Sequence, residues 1–263
     1  MPPIIALLSD FGTRDHYAGT MKGVMLDIAP DAVLVDVTHD ISPHDILHGA
    51  LQLAAAVPYF PAGTIVLAVV DPGVGTTRRG IVVEAGDYRF VAPDNGLLTA
   101  VLQAIPPRRI VELTEGKYAR PATSRTFEGR DRFAPAAAWL ARGVDVAAFG
   151  PVVDTYERLG IPLPETTSDR LRGAVLFVDR FGNLVTNIDR ETLNRFAQGT
   201  GVSIAAAGLT NARLVETYAE IGDEQICGLF GSTDHMELAA HSASAADRLG
   251  LAAGAVVEIA HVR

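Results

Sequence analysis

The stretch "TIVLAVVDPGVG", residues 64–75, decides the fold of the first half of the chain. It begins with a continuous apolar run of the length expected for a strand buried on both faces. "IIALLS" (4–9) and "AVLVDV" (32–37) show the same pattern. Helical patterns at residues 15–29 and 42–57 separate the three runs. Alternating strands and helices predict an α/β domain with a largely parallel sheet.

Turn and cap signals predict the other elements of this domain. In the second helical pattern, Ser42 is the expected N-cap residue and Pro43 the first helical residue. Residues 80–93 are typical of a β-hairpin. Residues 131–143 carry a proline near the start and a glycine at the end, which predicts a helix.

The pattern changes after the proline-rich stretch "LGIPLPETTSD". Closely spaced short strands follow it, with helical patterns only near residues 190–197 and 244–250. We therefore predict an α/β domain over residues 1–165, a linker at about 159–171, and a smaller, mainly β domain over residues 172–263.

Composition excludes several classes of protein. The 263 residues carry a formal net charge of −9, which argues against nucleic acid or an anionic membrane as the main partner. A single cysteine, Cys227, excludes an intramolecular disulfide and fits a reducing compartment. No basic signal-peptide region and no apolar stretch of about 20 residues is present, so we expect a cytoplasmic protein.

Two acidic residues follow predicted strands. Asp10 ends the run at residues 4–9, and Asp71 ends the run at residues 64–70. Ligands of open α/β sheets bind outside the carboxyl ends of the strands, where both carboxylates are expected. The alternative is that each aspartate only caps a turn or a helix.

Two familiar kinds of site do not fit. The loop at residues 71–80 matches neither the P-loop pattern nor the glycine pattern of dinucleotide-binding folds, and Asp71 would repel a phosphate. His39, His44 and His48 suggest a metal, with the last two spaced to share a helical face. Because no HExxH motif or cysteine ligand accompanies them, we expect no metal site.

Two further stretches carry candidate binding residues. "TFEGRDRFAP" (126–135) places charged residues before a helix, where they either contact a ligand or are simply solvated. Gly129 permits close approach of the backbone, and Phe127 offers a flat ring for stacking. "VDRFGNLVTNI" (178–188) is a second candidate, although a hairpin turn on Gly182 and Asn183 is the favoured explanation of this stretch taken alone.

Seven stretches, in this order, resemble the family that joins the S-adenosylmethionine (SAM) hydroxide adenosyltransferases to the SAM-dependent chlorinases and fluorinases. They are "SDFGTRDHYAG", "DVTHDISPHDILHGA", "VVDPGVGTTRRG", "VAPDNGLL", "TFEGRDRFAP", "VDRFGNLVTNI" and "MELAAHSASAADRLGL". The resemblance implies an N-terminal α/β domain and a C-terminal barrel-like domain. It also implies a homotrimer with the SAM site between subunits, with SAM as substrate and no other cofactor.

The resemblance also implies the roles of individual residues. Asp10 would hold the ribose hydroxyls, with Phe127 and Gly129 packed nearby. Asn183 would contact the adenine edge beside Phe181. Asp15, Asp179 and Ser232 would hold the methionine end of SAM.

Asp71, Arg78 and Glu128 are the candidate catalytic residues. Asp71 would orient or deprotonate a water, and Arg78 would stabilise the developing hydroxide that attacks C5′ of SAM. A carboxylate repels halide, so this pair favours hydrolysis to adenosine and methionine over halogenation. The hydrolases of this family carry histidine where this chain has Glu128. The alternatives are a SAM-dependent halogenase and a SAM- or adenosine-binding protein without catalysis.

Overall fold

A computed structural model describes residues 2–121 and 124–262 of the chain. The chain divides into two compact units, Met1–Gly160 and Ile161–Arg263. Among the helices within those described ranges, none is long and apolar enough to cross a membrane.

The first unit contains a six-stranded sheet. Its strands are β1 (Ile4–Ser9), β2 (Val33–Thr38), β3 (Ile65–Val69), β4 (Gly80–Ala85), β5 (Tyr88–Pro93) and β6 (Pro107–Glu112), in the spatial order β2-β1-β3-β5-β4-β6. The first four strands of that order are mutually parallel, and β4 pairs antiparallel with both β5 and β6. The predictions of a largely parallel sheet and of a hairpin at residues 80–93 are confirmed.

Helices cover both faces of this sheet. They are α1 (Tyr17–Ile28), α2 (Ile46–Ala56), α3 (Thr99–Ala104) and α4 (Ala134–Ala141). Successive strand residues point to opposite faces, so Leu7 packs in the core with α1 and α4, whereas Leu8 packs in the core with α2 and α3. Continuous apolar runs are what a sheet covered on both faces requires.

Two local predictions are wrong. The run at residues 32–37 is not buried on both faces, because β2 is an edge strand and is half-exposed along its length. Helix α2 begins at Ile46 rather than at Pro43, with Asp45 as N-cap residue accepting a hydrogen bond from His48 N. His44 lies outside this helix in a left-handed conformation, with φ at 68°.

The second unit is a mainly antiparallel β structure. Its strands are β7 (Glu165–Thr166), β8 (Arg170–Val178), β9 (Leu184–Asp189), β10 (Val202–Ala206), β11 (Leu209–Ala212), β12 (Ile226–Phe230), β13 (His235–Ala240) and β14 (Val256–His261). The spatial order is β11-β10-β14-β8-β9-β13-β12, with β7 beside β8. After β11, Leu214 bridges to Gly228 of β12, so the two ends of the sheet meet and form a nearly closed barrel. Helices α5 (Arg190–Ala197) and α6 (Ala245–Leu249) lie where they were predicted.

Candidate active site

Asp71 and Arg78 are joined by a tight turn at the carboxyl end of β3. Arg78 donates to Asp71 through two nitrogens, Nε to Oδ1 at 2.9 Å and Nη2 to Oδ2. Gly75 adopts φ of 81°, and a Cβ on Gly73 would lie 3.4 Å from Arg78 Cγ. These glycines fold the loop back on itself, so the Asp71 carboxylate and the Arg78 guanidinium are in direct contact.

Glu128 joins this pair from a distant part of the chain. Its side chain accepts a hydrogen bond from Arg78 Nη2, the same nitrogen that contacts Asp71. Glu128 immediately precedes a single π-helical turn, Gly129–Phe133, which leads into α4. Such turns are frequent at functional sites. The fold therefore brings together the three predicted catalytic residues.

The cluster is shielded from water. The exposed fractions of the side chains are 6% for Asp71, 11% for Arg78 and 12% for Glu128. Burial alone would lower the pKa of Arg78, but its hydrogen bonds and ion pairs with the two carboxylates outweigh burial and raise that pKa. Arg78 is therefore a permanent cation that can stabilise negative charge, and it cannot act as a base.

Asp10 lies at the same edge of the sheet as Asp71. Strands β1 and β3 are parallel neighbours with Ser9 opposite Val69, so both chains leave the sheet at that edge. Asp10 is half-buried, and its Oδ2 accepts a hydrogen bond from His44 N at 2.9 Å. The left-handed backbone of His44 allows this contact, which the sequence pattern did not reveal.

The other predicted binding residues of the first unit differ in their surroundings. The Phe127 ring packs edge-on against Phe11 and Tyr17, with centroids 5.9 Å and 5.1 Å away. A Cβ on Gly129 would lie 3.0 Å from Met21 Sδ, so the backbone at Gly129 packs tightly against α1. Asp15 is exposed in the loop before α1.

A polar chain that sequence reasoning missed braces the loop beside Asp10. Ser9 Oγ lies 2.7 Å from His39 Nδ1, and His39 Nε2 donates to Asp36 Oδ1 at 3.0 Å. Lys22 Nζ donates to the other oxygen of Asp36 at 2.6 Å. Ser9 is fully buried, so this serine, histidine and aspartate cannot attack a substrate and instead hold the ends of β1 and β2 together. Among the described residues, no cluster of three or more histidine, cysteine or acidic side chains has the arrangement of a metal site.

In the second unit, Asp179 organises the turn between β8 and β9. Its carboxylate accepts hydrogen bonds from the backbone of Phe181 and of Asn183, both at 2.8 Å, and from Asn183 Nδ2 at 2.9 Å. Gly182 has φ of 82°, as this hairpin turn requires. The hairpin interpretation is confirmed, and the turn also fixes the side chain of Asn183.

A pocket of about 580 Å³ lies beside this turn. Its lining residues are Phe181, Asn183, Tyr218, Ala219, Ala240, His241, Ser242, Ala243 and Ser244. Phe181 is 79% exposed, whereas Asn183 is buried. Ser232 is exposed in the turn after β12 and is not part of this lining.

Tyr218, which lines the pocket and is exposed, is paired with the buried Glu237, and neither residue was predicted. Tyr218 OH donates to Glu237 Oε2 at 2.9 Å. Partial burial, together with the neighbouring Glu237 carboxylate, raises the pKa of Tyr218 to about 12. Burial also raises the pKa of Glu237, and this effect outweighs the hydrogen bond from Tyr218, which lowers that pKa.

Comparison with known proteins matches both units to one family. Residues 5–150 match the model of the SAM hydroxide adenosyltransferase N-terminal domain, and residues 173–258 match that of its C-terminal domain. The chain is 37% identical to an (R)-S-adenosyl-L-methionine hydrolase from Thermus thermophilus, covering 97% of this chain and 98% of the relative. It is 38% identical to a hydrolase of the same name from Salinispora tropica, covering 96% and 95%.

A fluorinase from Actinoplanes sp. is more distant, with 31% identity over 98% of this chain and 97% of the relative. A solved structure of an uncharacterised conserved protein from Thermotoga maritima superimposes with a TM-score of 0.91 and is 31% identical. That likeness covers 98% of this chain and 100% of the Thermotoga chain.

Proposed function

The chain belongs to the SAM hydroxide adenosyltransferase family, and on this premise we propose that it hydrolyses SAM to adenosine and L-methionine. The observation that carries the proposal is the buried cluster of Asp71, Arg78 and Glu128, in which two carboxylates share one guanidinium. The names of the hydrolase relatives support the same reaction.

The reaction is a displacement at C5′ of the adenosyl group. A water oxygen forms a bond to C5′ while the C5′–S bond breaks, and its electron pair leaves with methionine as a neutral thioether. The water proton passes to a carboxylate and then to solvent. Water has a pKa of about 15.7, so positioning and electrostatic stabilisation must supply most of the catalysis.

Asp71 and Glu128 are the proposed acceptors that orient the water and take its proton. Both carboxylates contact Arg78, which stabilises the charge that develops on the oxygen as the proton leaves. A protonated guanidinium suits this role because it donates several hydrogen bonds and does not titrate.

The remaining residues are proposed to bind SAM in the roles implied by the family resemblance. Asp10 is suited to two ribose hydroxyls because a carboxylate accepts from both. Phe127 and Gly129 would shape the ribose side, and Phe181 and Asn183 the adenine side. Asp15, Asp179 and Ser232 would hold the ammonium and carboxylate of the methionine part. SAM is the substrate, and the proposal requires no cofactor.

Charge argues against the halogenase alternative. A chloride about 4 Å from one carboxylate is repelled by about 4 kcal/mol at an effective dielectric constant of about 20. Asp71 and Glu128 both contact Arg78, and a halide placed beside either carboxylate meets this local repulsion. A water molecule is neutral and donates hydrogen bonds to the same carboxylate oxygens, so it meets no such repulsion.

A product assay distinguishes the three alternatives. Purified protein incubated with SAM should yield adenosine and methionine in equal amounts, measured by chromatography. 5′-Chloro-5′-deoxyadenosine formed in the presence of chloride would identify a halogenase. Tight SAM binding in calorimetry, with no product after long incubation, would identify a non-catalytic binder.

The family resemblance also leads us to propose a cytoplasmic homotrimer in which neighbouring subunits share each SAM molecule. Light scattering during size-exclusion chromatography tests the assembly, and a molar mass of one chain would contradict it.

A further inference from the structure

Arg132 contacts the candidate catalytic cluster in a way that the proposed reaction does not explain. Its Nη1 donates to both oxygens of Glu128, each at 3.1 Å. Its Nη2 donates to the backbone oxygen of Leu113 at 2.6 Å. The sequence left open whether the charged residues of this stretch contact a ligand or are solvated. Instead, Arg132 is anchored to the main chain at one nitrogen and holds a carboxylate with the other.

The local backbone places Arg132 for this contact. Glu128 immediately precedes the π-helical turn Gly129–Phe133 and Arg132 lies within it, four residues further along, where the two side chains form an ion pair. The turn runs directly into α4, whose first turns are fully buried. Arg132 is therefore held by a rigid part of the first unit.

The pair also balances the charge of the cluster. Asp71 and Glu128 both contact Arg78 Nη2, and one guanidinium cannot neutralise two carboxylates. Arg132 supplies the second positive charge, so the four side chains have no net charge when all are ionised. A mostly buried group of charges requires this balance.

We propose that Arg132 is a positioning residue for the hydrolysis. It fixes the carboxylate of Glu128 against Arg78. The inference rests on the proposed function. Arg132 acts through Glu128 and contacts neither SAM nor the attacking water.

The test is a double-mutant cycle that combines Arg132→Leu with Glu128→His. In the otherwise unaltered protein, Arg132→Leu should lower kcat about 10- to 100-fold, since a misplaced group at the reacting centre has effects of this size. The KM for SAM should stay within about threefold, because no substrate contact is lost. In the Glu128→His background, Arg132→Leu should change kcat by less than about threefold, because neutral imidazole carries no charge and offers one acceptor nitrogen in place of the two carboxylate oxygens that Arg132 Nη1 contacts.

Arg142→Leu is the matched control. Arg142 lies at the end of α4 and donates to the backbone oxygen of Ile28 at 3.0 Å, without a carboxylate partner in the cluster. Its removal should leave kcat unchanged. Arg132→Lys keeps the charge but loses the paired hydrogen bonds, and its kcat should lie between those of the leucine variant and the unaltered protein.

An equal loss of kcat from Arg132→Leu in both backgrounds would overturn the inference, since it would indicate a structural role independent of Glu128. Full kcat in Arg132→Leu would overturn it as well. If circular dichroism shows that the leucine variant does not fold, Arg132→Lys in both backgrounds makes the same comparison with the same criteria. Absence of adenosine formation by the unaltered protein would instead refute the proposed function, and the inference with it.

Discussion

Replacing Asp71 by alanine tests the proposed chemistry most sharply. The variant removes both acceptors of the Arg78 fork, at Nε and Nη2, from a carboxylate that is 6% exposed. It leaves Glu128 in contact with Arg78, so the guanidinium does not become an unpaired buried charge. We therefore expect a stability loss of about 1.5–3 kcal/mol, typical of hydrogen bonds to charged groups. The loss of about 3–5 kcal/mol that follows a fully broken buried pair is not expected.

The effect on catalysis should be larger than the effect on stability. Loss of a group that orients or deprotonates the attacking water should lower kcat about 100- to 10,000-fold. Binding of SAM should be retained, because Asp71 is not assigned to the substrate. Adenosine formation measured by chromatography gives kcat, calorimetry gives the SAM affinity, and urea unfolding gives the stability.

Asp94→Ala is the control for this variant. Asp94 is also buried and accepts from Arg79 Nε at 2.9 Å, but it lies outside the cluster. The Asp94→Ala variant should lose about as much stability as Asp71→Ala, but its kcat should change much less. If Asp71→Ala turns over at the rate of the unaltered protein, or if both variants lose activity equally, the assignment of Asp71 is wrong.

Three further predictions concern the pocket, the turn beside it and the polar chain near Asp10. Phe181→Ala should raise the KM for SAM about 5- to 100-fold, the usual effect of losing base stacking, without lowering the melting temperature. Tyr59→Ala, at a residue that is 84% exposed, is the control. An unchanged KM in Phe181→Ala would refute the stacking role. Gly182→Ala should lower the free energy of unfolding in urea by about 2–4 kcal/mol, because its Cβ would lie 2.2 Å from Ser244 Oγ at φ of 82°. Gly199→Ala has a similar φ but open space around its Cβ, so it should lower that free energy by only about 1–2 kcal/mol. Equal losses in the two variants would contradict the packing argument. Burial would raise the pKa of Asp36, but hydrogen bonds from Lys22 and His39 outweigh burial and lower that pKa. Ionised Asp36 therefore stabilises the fold above about pH 4, and this stabilisation disappears as the pH falls below that value. The melting temperature of Asp36→Asn should approach that of the unaltered protein at acidic pH, and a constant difference across the pH range would contradict this linkage.

The fold was largely predictable because the strands of a sheet covered on both faces appear in the sequence as continuous apolar runs. The apolar runs of β1 and β3 indicated buried strands, and the hairpin of β4 and β5 followed from its turn residues. The exposure of β2 was not predictable, because its own residues do not encode its position at the sheet edge. The start of α2 was misjudged because Ser42 and Asp45 are both good N-cap residues. No sequence pattern predicted the contact between His44 N and Asp10.

The candidate site was predictable where its residues are close in the chain. Asp71 and Arg78 share one loop, so a turn could be expected to join them. Glu128 reaches Arg78 across 50 residues, and only the folded arrangement of β3 and the π-helical turn creates that contact. The chain of Ser9, His39 and Asp36 was overlooked because its members are separated along the chain and carry no recognised motif. The sequence left open whether Arg132 contacts a ligand or is solvated, and its contact with Glu128 depends on the π-helical turn, which no sequence pattern predicted.

The central claim is that water attacks C5′ of SAM, and an isotope experiment tests it most directly. The protein is incubated with SAM in water enriched in heavy oxygen, and the products are examined by mass spectrometry. We predict that each adenosine gains one heavy oxygen at its 5′-hydroxyl and that methionine gains none. Adenosine without the label, or methylthioadenosine or a 5′-halogenated nucleoside as the main product, would contradict the claim.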